Sequence, residues 1–201
     1  MLIMKVIGLT GGIGSGKSMV AEILREKYKA FILDTDSIAK RQMEPGGESY
    51  RLVVEHFGEE ILYPDGRINR QKLADIIFRD ANKRLKINQL THPIVLEEVK
   101  KEIESRRKSG TTEYLVVETA LMIESGYDFI CDEVWYVYAP KELRRLRLKE
   151  SRGYSDEKID SIMANQKKDE EFRAKYCKVI ENTSDRQYLE KQVDALIERT
   201  A

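Results

Sequence analysis

The sequence predicts an α/β protein built on a five-stranded parallel sheet with flanking helices. Three observations predict it. Short apolar, β-branched runs alternate with runs of helical period. A glycine-rich loop joins the first such run to the first helical one. The stretch between the second and third strand candidates is far longer than one parallel crossover needs, so it carries an inserted helical lobe.

In chain order, strands are expected at residues 4–9, 30–33, 114–117, 134–138 and 178–180. Val20, Ile23, Leu24 and Tyr28 share one helical face after the glycine loop. Leu73, Ile76 and Ile77, then Val95, Val99 and Ile103, repeat the pattern inside the long insertion, which "YPDGR" at residues 63–67 interrupts as a turn. Residues 141–176 form a second helix-rich stretch, with a turn at Gly153 and Ser155 as an N-cap. Leu189, Val193, Leu196 and Ile197 close the chain on a last amphipathic helix. The expected division is therefore a core of residues 1–39, 94–140 and 177–201, a helical lobe at 40–93, and a lid at 141–176.

Composition excludes several classes. The 201 residues carry 35 basic and 35 acidic side chains, a zero net charge that disfavours a nucleic-acid partner. Cys131 and Cys177 stand apart and read as reduced thiols, and His56 and His92 lie too far from them for a zinc site. The first ten residues lack the apolar core of a signal peptide, and no run reaches the length of a membrane span. The expectation is a cytoplasmic protein, a monomer or small homo-oligomer.

Gly11-x-x-x-x-Gly16-Lys17-Ser18 has the spacing of a phosphate-binding loop. Glycines let successive backbone N–H groups turn inward around an anion, and the following helix adds its positive N-terminal end. Gly12, Ile13, Gly14, Ser15, Gly16, Lys17 and Ser18 are the expected contacts to ATP. Lys17 reaches the β- and γ-phosphates and the Ser18 hydroxyl ligates Mg²⁺. The strand before the loop and the helix after it are the context this motif requires. GTPase switch motifs are missing, since Asn82-Lys83 is followed by Arg84-Leu85, and no LSGGQ is present. Small-molecule kinases lead; a non-enzymatic nucleotide-binding module is the other class.

Ligands of open α/β sheets sit beyond the carboxyl ends of the strands. "FILDTDSIAK" places Asp34 and Asp36 there. Asp36 is either a carboxylate that takes or orients an acceptor's proton or a cap of the next helix. "YLVVE" ends in Glu118, either a Mg²⁺ carboxylate or an acid facing solvent. Arg144, Arg145, Arg147 and Arg152 lie within nine residues. Arginine forks suit the charge that spreads over a moving phosphoryl group, and a helix–turn–helix bearing them would make a lid; the other reading is a solvated face with i,i+4 charge pairs.

These pieces together resemble the dephospho-coenzyme A kinase family of P-loop kinases over nearly the whole chain. The matching stretches are "GLTGGIGSGKS", "DTDSIAK", "FGEEILYPDGRINRQKLADIIF", "LTHPIV", "ALMIESG", the region from Pro140 to Arg152, and "ANQ" at residues 164–166. The resemblance implies a P-loop nucleoside-triphosphate hydrolase-like fold, with ATP and Mg²⁺, and dephospho-CoA phosphorylated on its ribose 3′-hydroxyl to give CoA and ADP. It implies Asp36 as base or orienting carboxylate, Thr10 at the phosphates, Arg147 on the transferring charge and Arg152 in the lid. Asn69, Arg70, His92 and Pro93 would belong to the acceptor lobe. Ala120 stands where the family often has proline, and the five-residue spacing of Arg147 and Arg152 leaves Arg144 or Arg145 as alternatives to Arg147. A kinase of nucleosides or nucleotides is the alternative activity.

Overall fold

A computed structural model describes residues 3–176 and 178–199 of the chain. Cys177, read above as a thiol, lies outside the described residues. The chain divides into two compact units, one formed by Met1–Leu33 and Arg106–Ala201, the other by Asp34–Ser105.

In the first unit the strands are β1 (Lys5–Thr10), β2 (Phe31–Asp34), β3 (Tyr114–Glu118), β4 (Glu133–Tyr138) and β5 (Lys178–Glu181), β2 ending on the first residue of the second unit. They form one sheet in the order β2-β3-β1-β4-β5. β1 pairs in parallel with β3 and β4, and β4 with β5. β1 is buried along almost its whole length, as a central parallel strand covered on both faces must be. The apolar runs found in the sequence are these strands, each within two residues of its expected ends.

Helix α1 (Lys17–Tyr28) and the final helix, here α9 (Arg186–Glu198), pack on this sheet. Val20, Ile23 and Leu24 of α1 meet Leu189 and Val193 of α9 in one core with Ile7, Leu9, Val116 and Trp135. At the opposite, amino-terminal end of the strands, Glu133 accepts from Lys178 Nζ at 2.6 Å and Trp135 Nε1 at 2.6 Å, and pairs with Lys5 Nζ at 2.9 Å. Burial pushes the Glu133 carboxyl up, but these donors outweigh it and hold it below its ordinary value.

Between β4 and β5 run α6 (Lys141–Arg152), α7 (Asp156–Ala164) and α8 (Asp169–Lys175). Gly153 ends α6 in the left-handed conformation, and Ser155 Oγ accepts from Lys158 N at 3.3 Å to start α7. Phe172 of α8 stacks on Tyr136 of β4 with ring centroids 4.8 Å apart.

The second unit comprises α2 (Thr35–Gln42), α3 (Glu48–Phe57), α4 (Arg70–Phe78) and most of α5 (Ala81–Ser109). Its core gathers Val53, Ile61, Ile68, Leu73 and Ile87. The expected turn is real: Leu62 and Ile68 bridge in antiparallel fashion, and Gly66 N donates to the Tyr63 carbonyl at 2.9 Å. No helix among the described residues is long and apolar enough to cross a membrane.

Candidate active site

The glycine loop leaves the end of β1 and closes on the first turn of α1. Gly14 and Gly16 have φ of 76° and 92°, a backbone that side-chain-bearing residues rarely adopt. Lys17 Nζ arcs back over the loop and donates to the carbonyls of Gly11 at 2.9 Å and Gly12 at 3.4 Å. Ser18 Oγ, in the first turn of α1, donates to Glu118 Oε1 at 2.9 Å. Glu118 is the last residue of β3, the neighbour of β1, so sheet order brings a carboxylate 100 residues away beside the loop serine.

Three residues of the segment between β4 and β5 approach the same loop. Gln166 Oε1 accepts from the Ile13 amide at 2.9 Å. The Arg144 guanidinium lies over Gly12, where an added Cβ would collide with it. Arg144 Nη2 also pairs with Asp169 Oδ2 at 3.4 Å, and Asp169 accepts from the Tyr136 hydroxyl. Arg147 Nη2 donates to both the carbonyl and Oδ1 of Asn182 at 3.2 Å, and Asn182 Nδ2 donates to the Ser15 carbonyl at 2.7 Å. Burial pulls the Arg147 guanidinium below its usual value, though an arginine stays charged.

Seven buried side-chain polar atoms have no hydrogen-bond partner among the described residues. Four of them belong to this one region: Thr10 Oγ1, Ser15 Oγ, Arg144 Nε and Arg147 Nη1. Each such atom costs on the order of 1–3 kcal/mol if nothing satisfies it. Their concentration around one loop marks a place built for a polar ligand rather than for stability.

The remaining arginines point elsewhere. Arg145 pairs with Asp156 at 2.6 Å and with Asp160, joining α6 to α7. Arg152 is exposed, its guanidinium 5.9 Å from the Tyr154 ring centre. A cavity of about 490 Å³ opens beside Arg144 and Gln166, lined also by Met163, Lys168 and Asp169.

The residues expected from the resemblance to serve an acceptor lie in the second unit. Asp34, not Asp36, caps α2, its carboxylate accepting from Asp36 N at 3.0 Å and Ser37 Oγ at 2.5 Å. The capping role weighed for Asp36 thus falls to its neighbour, and Asp36 stands exposed in the first turn of α2. Asn69 caps α4 by accepting from Lys72 N at 3.0 Å. Arg70 is exposed and pairs with Glu44 at 2.8 Å. Arg70 and Glu44 line a cavity of about 400 Å³ together with Met43, Tyr63, Arg67 and Ile68. His92 is half-buried and its burial keeps it neutral more readily than a free histidine. Pro93 sits inside α5, where it withholds one backbone N–H from the helix.

Asn182, Gln166 and Asp169 were not singled out as site residues from the sequence. Asn182 had a usable signal, since it directly follows the last strand, where Asp34 and Glu118 were sought. Gln166 lay in the "ANQ" stretch that carries the family resemblance but had no role read from it, and Asp169 had no signal, because the contacts of Gln166 with Ile13 and of Asp169 with Arg144 depend on how α6, α7 and α8 fold back.

The Dephospho-CoA kinase family model (CoaE) matches residues 5–187. The dephospho-CoA kinase of Carboxydothermus hydrogenoformans is 38% identical over 200 residues, covering 99% of this chain and 96% of that protein. The crystal structure of TT1252 from Thermus thermophilus superposes with a TM-score of 0.82 at 28% identity, covering 98% of each chain. A dephospho-CoA kinase from Campylobacter jejuni, 22% identical and covering 98% of each chain, shares the fold with a TM-score of 0.71.

Proposed function

The chain belongs to the dephospho-CoA kinase family and catalyses ATP-dependent phosphorylation of dephospho-CoA in coenzyme A biosynthesis, and on that premise we propose how its residues divide the work. The match running from β1 into α9 is the observation that carries the activity, because it spans the loop, the lid and the second unit alike.

The reaction places the γ-phosphoryl group of ATP on the ribose 3′-hydroxyl of dephospho-CoA and leaves ADP. Residues 12–18 cradle the ATP phosphates, with Lys17 swinging from the Gly11 and Gly12 carbonyls to the β- and γ-oxygens. Thr10 and Ser15 donate to phosphate oxygens; that their buried hydroxyls have no partner among the described residues supports this. Arg147 stabilises the charge that spreads over the moving group, with Arg144 beside it at Gly12. Arg152 contributes from the end of α6 when the lid closes.

The Ser18 hydroxyl and Glu118 carboxylate, 2.9 Å apart, fit the sparse oxygen donor set of Mg²⁺, which takes its other ligands from phosphate and water. When bound there the ion neutralises charge on the β- and γ-phosphates. No cluster of three or more acidic, histidine or cysteine side chains exists among the described residues to hold it otherwise.

Asp36 accepts or orients the 3′-hydroxyl proton; its exposure and its freedom from the capping duty support this role. Asn69, Arg70, His92 and Pro93 serve the acceptor, Asn69 and Pro93 by shaping α4 and α5, Arg70 at the wall of the cavity. Residues 40–93 are then the acceptor lobe, 141–176 the lid, and 1–39, 94–140 and 177–201 the nucleotide core. We place the enzyme in the cytoplasm as a monomer or small homo-oligomer, without nucleic-acid or membrane partners.

Phosphorus NMR of the product tests the regiochemistry. A new phosphomonoester signal coupled to the ribose 3′ proton is expected. Coupling to the 2′ proton, or ADP release without a new phosphoester, contradicts it.

A further inference from the structure

We propose that Asn182 is a positioning residue for phosphoryl transfer: it locks Arg147 and the phosphate loop into one frame while leaving the arginine's charge unspent. The inference rests on the reading of Arg147 as the group that meets the transferring phosphoryl charge.

Asn182 is 1% exposed and directly follows β5. Its backbone N–H donates to the Tyr138 carbonyl of β4 at 2.8 Å, which anchors it to the sheet. Its side chain then works at both ends. Nδ2 donates to the Ser15 carbonyl in the loop, and Oδ1, with the backbone carbonyl, accepts from Arg147 Nη2. The contact with the loop is close: a Cβ on Gly16 would collide with Asn182 Nδ2, so glycine at 16 serves this packing as well as its backbone angle.

The neighbouring arginines supply the contrast. Arg144 is paired with Asp169, and Arg145 with Asp156 and Asp160. Arg147 alone of the three is held by a neutral amide and a carbonyl, and no carboxylate pairs with it among the described residues. A carboxylate holds an arginine more strongly but cancels its charge. An amide fixes the fork and leaves the charge for the substrate. The amide carries its donor and its acceptor on separate atoms, so it reaches the loop and Arg147 at once, whereas a hydroxyl has both on one oxygen. Aspartate loses the donor, leucine loses both, and glutamine is one methylene too long for a fully buried slot.

The test is a double-mutant cycle at saturating ATP and dephospho-CoA, with thermal melting to confirm that each variant is folded. Asn182→Ala is expected to lower kcat by about 10- to 100-fold, the scale of a misplaced catalytic group. In an Arg147→Ala background the same substitution is expected to lower kcat by less than about threefold, because groups acting as one unit are not additive. If Asn182→Ala fails to fold, Asn182→Ser, which puts no charge beside Arg147, closes the same cycle and the same non-additivity is expected. Multiplicative losses overturn the proposal and leave Arg147 in its role. Full activity in Arg147→Ala overturns that role, and the proposal with it.

Discussion

Arg145 and Arg147 are two residues apart on α6, so their side chains leave the helix roughly 200° apart. One turns to Asp156 and Asp160, the other to Asn182 and the loop. That difference favours Arg147 over Arg145 for the proposed role, while Arg144 also lies against the loop at Gly12. Arg147→Ala is expected to lower kcat by about 10²–10³-fold, as loss of a donor to transition-state charge does. Arg145→Ala, which breaks an exposed ion-pair network, is expected to change kcat less than about threefold. Steady-state kinetics of the two variants checks this, and a reversed order contradicts it. Asp36→Asn belongs to the same scale. It is expected to lower kcat by about 10²–10⁴-fold with ATP affinity unchanged, the signature of a lost proton acceptor. A kcat within a few-fold of wild type makes Asp36 a spectator.

At the scale of elements, the Lys5–Glu133–Lys178 cluster ties β1, β4 and β5 together at one end of the sheet. Glu133 has a depressed folded value, so its contribution is present above the ordinary glutamate value of about 4.3 and is lost as pH falls below it. Urea unfolding of Glu133→Gln is expected to show a deficit of about 1–3 kcal/mol at pH 7 that shrinks as pH drops through this window. A deficit equal at pH 7 and pH 3 contradicts the assignment. The same elements show what sequence reading reaches. Strands and amphipathic helices announce themselves by local period, and the Ser155 cap and the 63–67 turn by local chemistry. The choice between Asp34 and Asp36 as cap was not legible, because both residue types and both positions satisfy the pattern. It was decided by which carboxylate reaches the Asp36 amide.

At the scale of the whole molecule, the site is a product of strand order. β1 is flanked by β3 and β4, and β4 by β5, so residues at the ends of β1, β3 and β5 that are far apart in the chain converge on the loop. The motif pointed to the loop residues proposed to hold phosphate. It did not tell that Asn182 and Gln166 bond to that loop: the position of Asn182 after the last strand was a signal, but its partners Ser15 and Arg147, like the Ile13 partner of Gln166, are set by the fold. The second unit, with its own core and its own cavity, is where the residues proposed to serve the acceptor lie. The central claim is therefore the identity of the acceptor. The measurement that tests it most directly is kcat/KM for ADP release with Mg-ATP across dephospho-CoA, nucleosides and nucleoside monophosphates. A preference for dephospho-CoA of at least about 10⁴-fold is expected of a site that hydrogen-bonds its acceptor, and comparable turnover of adenosine or AMP would contradict the account.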